Sequence, residues 1–354
     1  MKTEMLRKEF ISFNAGPSYL APRTIQALHD IVSSGFLSVS HRSDEFSAMT
    51  KKAIESLRKQ MRIPKEFHIF FQPSAIASMD TILQNVVNHH SFHFVNGDFS
   101  ERFYTTAMQL NLDSQVHETP GNLPIDWQNA RIHKATELIA ITHNETRMGN
   151  MWPVDEIKKL REAYPESLLA IDVTSSFGGL IMDWSLGDIW FSSVQKCLGM
   201  PPGMAVMLVN QRAFEKALAL KKKIPPWRRF DILAEQMKKF QIFETPNLLA
   251  IALLARQMQE WNIDEIDRET KRKAKLLYTA DMDWKPHVED PRWQSTTVTH
   301  FVVDNAEKWH SKAKAANFGL GYVFGDFAQK GIRISNFPQH TFQMMEDLLA
   351  ALKY

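Results

Sequence analysis

Residues 192–209 read SSVQKCLGMPPGMAVMLV, and this stretch predicts two apolar strands with a lysine between them. An apolar strand ends at Gln195 and Lys196, a turn rich in glycine and proline follows, and residues 204–209 begin a second apolar strand. A lysine at the end of a strand, between apolar segments, loses hydration, and its pKa falls. Such an amine is suited to Schiff-base formation. A lysine considered alone is more simply explained as a solvent-facing residue. The surrounding sequence must therefore distinguish a surface lysine from one that forms a Schiff base.

Short apolar strands alternate with helix-like segments on both sides of this stretch. They are FHIFF (67–71), FHFV (92–95), ELIAIT (137–142), LLAID (168–172), DIWFSSV (188–194) and MAVMLV (204–209). Alternation of this kind predicts βαβ units, and the nearly continuous apolar character predicts strands that are covered on both faces. We therefore expect an α/β protein with a mostly parallel sheet in a large domain over residues 15–255.

The C-terminal part predicts a second, smaller unit of α+β type. Residues 246–281 have the pattern of one long helix, opened by the TPN triplet at 245–247. The elements expected after it are a strand at 297–303, a helix near 306–316, strands near 321–324 and 331–336, and a final helix at 340–353. We expect a small domain over residues 256–354, joined by residues 1–14.

Composition narrows the class of protein. The chain has 354 residues, of which 44% are hydrophobic and 23% charged, as in ordinary globular proteins. A net charge of +2 gives no broad attraction to nucleic acid or membrane. Cys197 is the single cysteine, so an intrachain disulfide is impossible. The sequence lacks an apolar run of about 20 residues, and charges occupy the place of a signal peptide's apolar core. We expect a soluble, cytoplasmic protein.

Asp172 follows the apolar strand LLAID at a position where a ligand would lie. In open α/β sheets, ligands bind beyond the carboxyl ends of the strands. Pyridoxal phosphate requires an acid beside its pyridine nitrogen, because the protonated ring is the electron sink of its chemistry. The alternative is that Asp172 caps the following turn.

A phosphate cradle is predicted in FFQPSAIASMDTILQNVV at 70–87, where a strand passes through a turn into a helix. The backbone amides of Ser74, Ala75 and Ile76 at the helix N-terminus would meet an anion. Simple capping of the helix by Ser74 is compatible with this interpretation.

Two further segments place polar or aromatic residues at strand ends. ITHNETRMGN (141–150) puts Asn144 and Thr146 where they could approach a cofactor or substrate. FVNGDFSERF (94–103) places Phe99 after a glycine turn, where its ring could stack on a pyridine face or pack in the core.

Nine short motifs occur in a family's order: FNAGPSYL (13–20), SHRSDEF (40–46), FFQPSAI (70–76), VNGDF (95–99), HNETRMG (143–149), IDVTSS (171–176), VQK (194–196), ETPN (244–247) and GIRIS (331–335). With these motifs the chain resembles the class V aminotransferases, and within them the phosphoserine aminotransferases. The resemblance implies fold type I, with a seven-stranded type of sheet, pyridoxal 5'-phosphate as cofactor, and a homodimer with shared active sites.

The resemblance also implies roles for individual residues toward the cofactor. Lys196 would carry the cofactor and transfer a proton, and Asp172 would pair with the ring nitrogen. Phe99 would stack on the ring, and Thr146 would bond the phenolic oxygen. The phosphate would be held by Ser74, Ala75 and Gln195, with Ile76 beside them and with Thr245 reaching over from the partner subunit.

For the substrate, the resemblance implies that Arg333 binds the α-carboxylate. His41 and Arg42 would meet the distal anionic group across the dimer interface. Asn14 and Gly16 would lie near the entrance of the active site.

Three positions depart from the phosphoserine aminotransferase pattern. The phosphate loop reads Pro73 to Ile76 in place of a glycine pair and Ala-Thr, and Glu244 replaces a neutral amide. Asp326 and Phe327 replace a His-Arg pair that the family uses on the substrate phosphate. The basic stretch KKKIPPWRRF (221–230) is expected to be a solvated loop, and our hypothesis is that its Arg228, Arg229 or lysines restore the lost charge.

The expected function is transamination between phosphoserine and 2-oxoglutarate, with small amino and 2-oxo acids as the only partners beyond a second subunit. The alternative is a serine– or alanine–glyoxylate aminotransferase, which would use Arg333 in the same way without needing His41 and Arg42 for phosphate. A cysteine desulfurase needs a cysteine on a mobile loop, and Cys197 lies on a short turn. HHSFH (89–93) offers three imidazoles without a second ligand group, so we expect no metal site.

Overall fold

The computed structural model describes residues 10–353, which contain fourteen strands and eleven α-helices. The strands are β1 Ile11–Phe13, β2 His68–Gln72, β3 His90–Val95, β4 Asp113–Glu118, β5 Leu138–Thr142, β6 Asn144–Glu145, β7 Asn150–Met151, β8 Leu168–Asp172, β9 Ile189–Ser193, β10 Ala205–Val209, β11 Lys285–Pro286, β12 Val298–Val302, β13 Phe318–Tyr322 and β14 Gly331–Ser335. The helices are α1 Pro22–Ser33, α2 Asp44–Gln60, α3 Ala75–Val86, α4 Asp98–Gln109, α5 Val154–Ala163, α6 Gln211–Leu220, α7 Phe230–Met237, α8 Leu248–Gln257, α9 Ile263–Tyr278, α10 Ala306–Ala315 and α11 Phe342–Lys353.

Seven strands form the large sheet in the order β2-β10-β9-β8-β5-β3-β4. Only β10 runs against its neighbours, β2 and β9, and the remaining pairs are parallel. The predicted α/β class with a mostly parallel seven-stranded sheet is confirmed. The six strands expected from apolar runs are all present, and β4 is an addition at the sheet edge with the polar sequence DSQVHE.

Helices cover both faces of this sheet. Successive residues of β5 and β8 alternate between two hydrophobic clusters: Ile139 and Ile171 belong to one, and Ala140 and Ala170 to the other. Helices α1, α2, α5 and α8 contribute buried residues to the first cluster, and α3, α4, α6 and α7 contribute to the second. Burial on both faces explains why these strands are apolar along their whole length.

The predicted long helix over 246–281 is wrong, because α8 and α9 are separate helices. The first begins at Leu248 and is capped by Asn247, whose side chain accepts the Ala250 amide at 3.0 Å, so Thr245 is not the cap. Trp261 is buried in the break, and the Asn262 side chain caps the second helix. The chain therefore turns where an indole enters the core and a new cap becomes available.

The smaller sheet has the order β1-β13-β14-β12-β11. Strand β1 pairs in parallel with β13, and the other neighbours are antiparallel. Residues 11–13 are thus attached to the C-terminal strands, with α9, α10 and α11 packed around them. Met1 to Glu9 and Tyr354, which the small-domain prediction includes, lie outside the described residues, and the domain boundaries stay a prediction.

Within residues 10–353, none of the helices has both the length and the apolar character needed to span a membrane.

Asp188 anchors the start of β9, the strand that leads to Lys196. Its buried carboxylate accepts hydrogen bonds from the Leu169 amide at 2.8 Å, Arg161 at 2.7 Å and Asn210 at 3.0 Å. Arg212 completes the arrangement at 3.4 Å. This network fixes β9 against β8 at the end opposite to the lysine.

We expect Asp188→Ala to lower the free energy of unfolding by about 3 kcal/mol, because it leaves the largely buried Arg161 guanidinium without its carboxylate. Urea denaturation followed by fluorescence measures the change. Glu215→Ala is the matched control, since Glu215 is exposed, and its effect should stay within about 0.5 kcal/mol. Equal urea midpoints for the two variants would contradict this role of Asp188.

Candidate active site

Lys196 lies in the turn after β9, at the edge of the sheet where β5, β8 and β9 all end. Its side chain is 5% exposed, and Nζ donates to Thr146 Oγ1 at 2.6 Å and Ser175 Oγ at 2.8 Å. The Phe99 ring centroid lies 4.7 Å from Nζ. Burial lowers the pKa of Lys196 to about 8, although the nearby Asp172 carboxylate acts in the opposite direction. The amine is therefore a far better nucleophile at neutral pH than an exposed lysine.

Asp172 is the last residue of β8 and is 2% exposed. Oδ1 accepts the Thr174 amide at 2.8 Å, which is the local turn contact that the sequence left open as an alternative. Burial raises the pKa of the Asp172 carboxyl, while the Thr174 hydrogen bonds and the charge of Lys196 lower it. A buried carboxylate at this sheet edge is placed to stabilise a cation.

The N-terminus of α3 is the place where the sequence predicts an anion cradle. Ser74 caps this helix, since its Oγ accepts the Ala77 amide at 3.1 Å. The Ala75 amide donates to Ser193 Oγ at 2.9 Å, a contact that sequence reasoning missed. The Ile76 side chain is exposed. A phosphate here would therefore meet two hydroxyl groups in addition to backbone amides.

Gln195 lies next to the lysine and is held by the chain's first turn. Its backbone oxygen accepts the Ser18 amide at 2.8 Å. In the same turn, a Cβ added to Gly16 would lie 3.4 Å from Lys196 Cε, and the φ of +142° disfavours any other residue there. Asn14 donates from Nδ2 to the Gly16 oxygen at 3.4 Å. Asn14 and Gly16 thus form the wall beside the lysine stem.

Glu145 is a site residue that sequence reasoning missed. It is 0% exposed, and Oε2 accepts the amides of Phe99 and Ser100, both at 3.2 Å. Burial raises the pKa of the Glu145 carboxyl. This carboxylate fastens the helix that carries Phe99 to the loop that carries Thr146. A glutamate between strand-end residues in HNETRMG was the signal available in the sequence.

Asn144, beside Glu145, is buried and bonds groups other than the lysine. Its Nδ2 donates to Thr297 Oγ1 at 2.5 Å, on the segment that leads into the small sheet. The structure therefore places Thr146, rather than Asn144, against Lys196.

Arg333 on β14 points from the small sheet toward the same place. It is 8% exposed, and it donates from Nε to the Tyr322 oxygen at 3.0 Å and from Nη1 to the Thr146 oxygen at 3.1 Å. Nη2 also contacts the Tyr322 oxygen. Burial and the neighbouring Arg147 lower the pKa of Arg333 to about 10, so it remains a cation at neutral pH. Three of its five N–H donors are used, which leaves two for a carboxylate.

Three residues, His41, Arg42 and Thr245, are predicted to act on the site of a partner subunit. Arg42 donates to the oxygens of Ile242 and Phe243, both at 2.9 Å, and His41 precedes it. Thr245 is exposed at the mouth of a cavity of about 230 Å³ that Pro73 also lines. Arg42 and Thr245 are thus held by one surface segment, residues 241–247.

The basic loop over 221–230 is engaged away from Lys196. Arg228 forms an ion pair with Asp80 on α3, and Arg229 contacts Asp231. The loop contains a short 3-10 turn at Pro226–Arg228 before α7 begins. These contacts do not support the hypothesis that its arginines restore the charge lost with Asp326 and Phe327.

Asp326 and Phe327, which stand where the resemblance would place a His-Arg pair, lie between β13 and β14. The Phe327 ring packs against His287 with 4.6 Å between centroids, and the Asp326 side chain lies outside the described part of the structure. Glu244 is exposed.

The imidazoles of 89–93 take up different positions. His93 is buried and contacts Ser91 Oγ at 2.9 Å, burial lowers its pKa to about 3, and His90 pairs with Asp113. Across residues 10–353, no three His, Cys, Asp or Glu side chains are grouped to hold a metal ion.

The donor set around Lys196 fits pyridoxal phosphate. The amine of Lys196 suits an aldehyde, and the Asp172 carboxylate suits a protonated pyridine nitrogen. The Phe99 ring suits the face of the pyridine, and Thr146 Oγ1 suits a phenolic oxygen. The start of α3 suits a phosphate.

Comparison with known proteins agrees with this site. The sequence matches the family Aminotransferase class-V over residues 11–315. A phosphoserine aminotransferase of Rhodococcus jostii is 27% identical over 301 residues, which are 81% of this chain and 78% of that relative. The crystal structure of a phosphoserine aminotransferase from Cytophaga hutchinsonii has a TM-score of 0.94 and 30% identity, covering 98% of this chain and 99% of that one. An alanine–glyoxylate aminotransferase from Nostoc shares the fold, with a TM-score of 0.84, 20% identity, and coverage of 100% and 97%.

The family match spans most of the chain, and it agrees with the fold and with the residues around the buried lysine. The resemblance drawn from nine motifs is confirmed at the level of the family. The chain belongs to the class V aminotransferases and is an aminotransferase that depends on pyridoxal phosphate.

Proposed function

We propose that this enzyme transfers the amino group of phosphoserine to 2-oxoglutarate, giving phosphohydroxypyruvate and glutamate. Transamination rests on one observation, the buried Lys196 amine lying beside Thr146, whose backbone oxygen is bound by Arg333. The named relatives from Rhodococcus and Cytophaga support phosphoserine as the donor.

Lys196 would hold the cofactor covalently and, once displaced by the amino acid, would remove the proton from Cα and deliver it to the cofactor. Bound pyridoxal phosphate supplies the electron sink for the Cα–H bond that breaks. Thr146 and Ser175 hold Nζ from one side, so the freed amine keeps its orientation. Its lowered pKa keeps a larger share in the basic form that accepts a proton.

Asp172 would keep the pyridine nitrogen protonated, and Phe99 would cover one ring face. Ser74, Ala75, Ile76 and Gln195 would surround the phosphate, and Ser193 joins them through the Ala75 amide. Glu145 would keep Phe99 in register with Thr146.

Arg333 would bind the substrate α-carboxylate with its two remaining donors. A planar guanidinium fixes a carboxylate through two parallel hydrogen bonds, which orients the Cα–H bond toward Lys196.

A homodimer is part of this proposal, and it comes from the family resemblance. In this proposal His41, Arg42 and Thr245 complete the partner's site, where they would add hydrogen bonds and positive charge. A cytoplasmic location stays a prediction.

The alternative donor is a neutral amino acid, as in the alanine–glyoxylate branch. The replacement of a His-Arg pair by Asp326 and Phe327 favours it, because Phe327 packs against His287 and carries no charge for a phosphate.

The test of the proposed function is a half-reaction titration of the yellow holoenzyme. We expect L-phosphoserine and L-glutamate to remove the yellow absorbance of the cofactor as pyridoxamine phosphate forms. The second-order rate constants with L-serine and L-alanine should be at least about tenfold lower. Rapid bleaching by alanine or serine alone would overturn phosphoserine as the substrate and favour the glyoxylate branch.

A second test uses the pKa of Lys196. The unprotonated amine reacts with the cofactor aldehyde, and burial disfavours the protonated form, so uptake of pyridoxal phosphate by the apoenzyme should reach half its maximal rate near pH 8. The same reaction with Nα-acetyllysine corrects for ionisation of the cofactor, and its midpoint should lie near 10.5, the ordinary pKa of a lysine amine. A shared midpoint for enzyme and free amine would refute the lowered pKa.

A further inference from the structure

Arg147 lies at the meeting point of three loops around the active site. Its Nη1 forms an ion pair with Asp98, and Nη2 donates to the Phe324 oxygen at 3.0 Å. A Cβ placed on Gly325 would lie 2.5 Å from Arg147 Nη2, so the guanidinium lies directly against this glycine. The side chain is 25% exposed, which leaves it accessible to a small solute.

Arg147 and its two partners, Asp98 and Phe324, each lie one or two positions in sequence from a residue of the site. Arg147 follows Thr146, which contacts Lys196, and Asp98 precedes Phe99. Phe324 comes two residues after Tyr322, whose oxygen is bound by Arg333. Arg147 and the residues it contacts are therefore sequence neighbours of residues that surround Lys196 or hold Arg333.

The two arginines form an inner and an outer cation. Arg333 bonds the Thr146 oxygen, and the charge of Arg147 contributes to the lowered pKa of Arg333, which indicates that the two guanidinium groups are close. An amino acid whose α-carboxylate is bound by Arg333 extends its side chain away from that carboxylate. An anionic group at the end of the side chain would then be stabilised by a second cation, and Arg147 is the cation beside Arg333.

Arg147 also contacts the segment where the resemblance would place the His-Arg pair. Residues 324–325, which it contacts, directly precede Asp326 and Phe327. The arginines of the basic loop are engaged in other contacts, because Arg228 is paired with Asp80 and Arg229 with Asp231.

We propose that Arg147 binds the distal anionic group of the amino donor, the phosphate of phosphoserine or the γ-carboxylate of glutamate, and thereby selects donors with a second negative charge. This inference rests on the proposed function and names the residue that gives it specificity. A guanidinium has five N–H donors, and the contacts with Asp98 and Phe324 use two of them. Charge-assisted hydrogen bonds to a phosphate or carboxylate are about twice as strong as neutral ones, so their loss should be measurable.

Asp98 gives Arg147 its orientation. The carboxylate is 43% exposed and holds Nη1 from the side of α4. A bound dianion would share the guanidinium with this carboxylate. In the absence of substrate, Asp98 keeps the cation from swinging into solvent.

The experiment compares Arg147→Met and Arg147→Lys holoenzymes with the wild type in single-turnover half-reactions. The donors are L-phosphoserine and L-glutamate, which carry a distal anion, and L-alanine and L-serine, which do not. For Arg147→Met we expect the second-order rate constant with the anionic donors to fall roughly ten- to a hundredfold, and that with the neutral donors to change less than about twofold. Arg147→Lys should recover part of the loss, since it keeps the charge without the planar fork.

Arg229→Met is the matched control, because it removes an ion-paired arginine of the basic loop by the same substitution. Its four rate constants should equal those of the wild type. If Arg147→Met is poorly folded, Arg147→Lys carries the test through its smaller loss, which should be confined to the anionic donors.

The outcomes separate this inference from the proposed function. An equal loss with all four donors in either Arg147 variant would mean that Arg147 only holds the three loops together, and would overturn the inference. Unchanged rates with phosphoserine would overturn it as well, while leaving the function intact. A wild-type enzyme that converts alanine or serine but neither anionic donor would refute the proposed function itself, whatever the variants do.

Discussion

The active site depends on burying a lysine amine without leaving it unpaired. Removing an ammonium group from water is unfavourable, and the structure offsets this with two hydroxyl partners, Thr146 and Ser175, and with the Asp172 carboxylate. Thr146 and Ser175 lie in loops beyond β5 and β8, Asp172 is the last residue of β8, and Lys196 follows β9. Because β5, β8 and β9 are parallel neighbours, the segments at their carboxyl ends meet at one edge of the sheet. The partners of the buried amine are therefore supplied by the strand order of the sheet.

The loops need further support because they are irregular. Glu145 supplies it on one side by accepting amides from the start of α4, and the turn of Gly16 supplies it on the other by packing along the lysine stem. Arg333 joins the smaller sheet to the loop of Thr146 through a backbone oxygen. The two sheets are thus connected at the site by hydrogen bonds to main-chain atoms, which tolerate changes in side chains around them.

Much of the fold could be predicted from sequence, because doubly covered strands are continuously apolar and the helix start after FFQPS is marked by a cap. Strand β4 could not be, since an edge strand with the sequence DSQVHE has no apolar pattern to detect. The break between α8 and α9 was hidden because Asn262 and Trp261 interrupt the helix only through a cap and a tertiary contact.

For the site, the motifs include four residues that the structure places around Lys196, namely Phe99, Thr146, Asp172 and Arg333. The contacts of Ser175, Ser193 and Glu145 were missed. Their importance comes from partners that are distant in sequence, 21 residues for the Ser175–Lys196 contact and 118 for the Ser193–Ala75 contact. A short motif carries no information about such pairs. The contacts of Arg42 with residues 242–243, likewise, could be seen only in the folded chain.

The pairing of β1 with β13 has a consequence for the order of events during synthesis. Residues 11–13 leave the ribosome long before residues 318–320, which are their hydrogen-bonding partners, and the turn after β1 packs on Lys196. All strands of the large sheet lie before residue 210, so that sheet can form while translation continues, but the pairing of β1 waits for residues 318–320. A nascent chain that has completed the large sheet therefore has its lysine in place before β13 has paired with β1 beside the pocket.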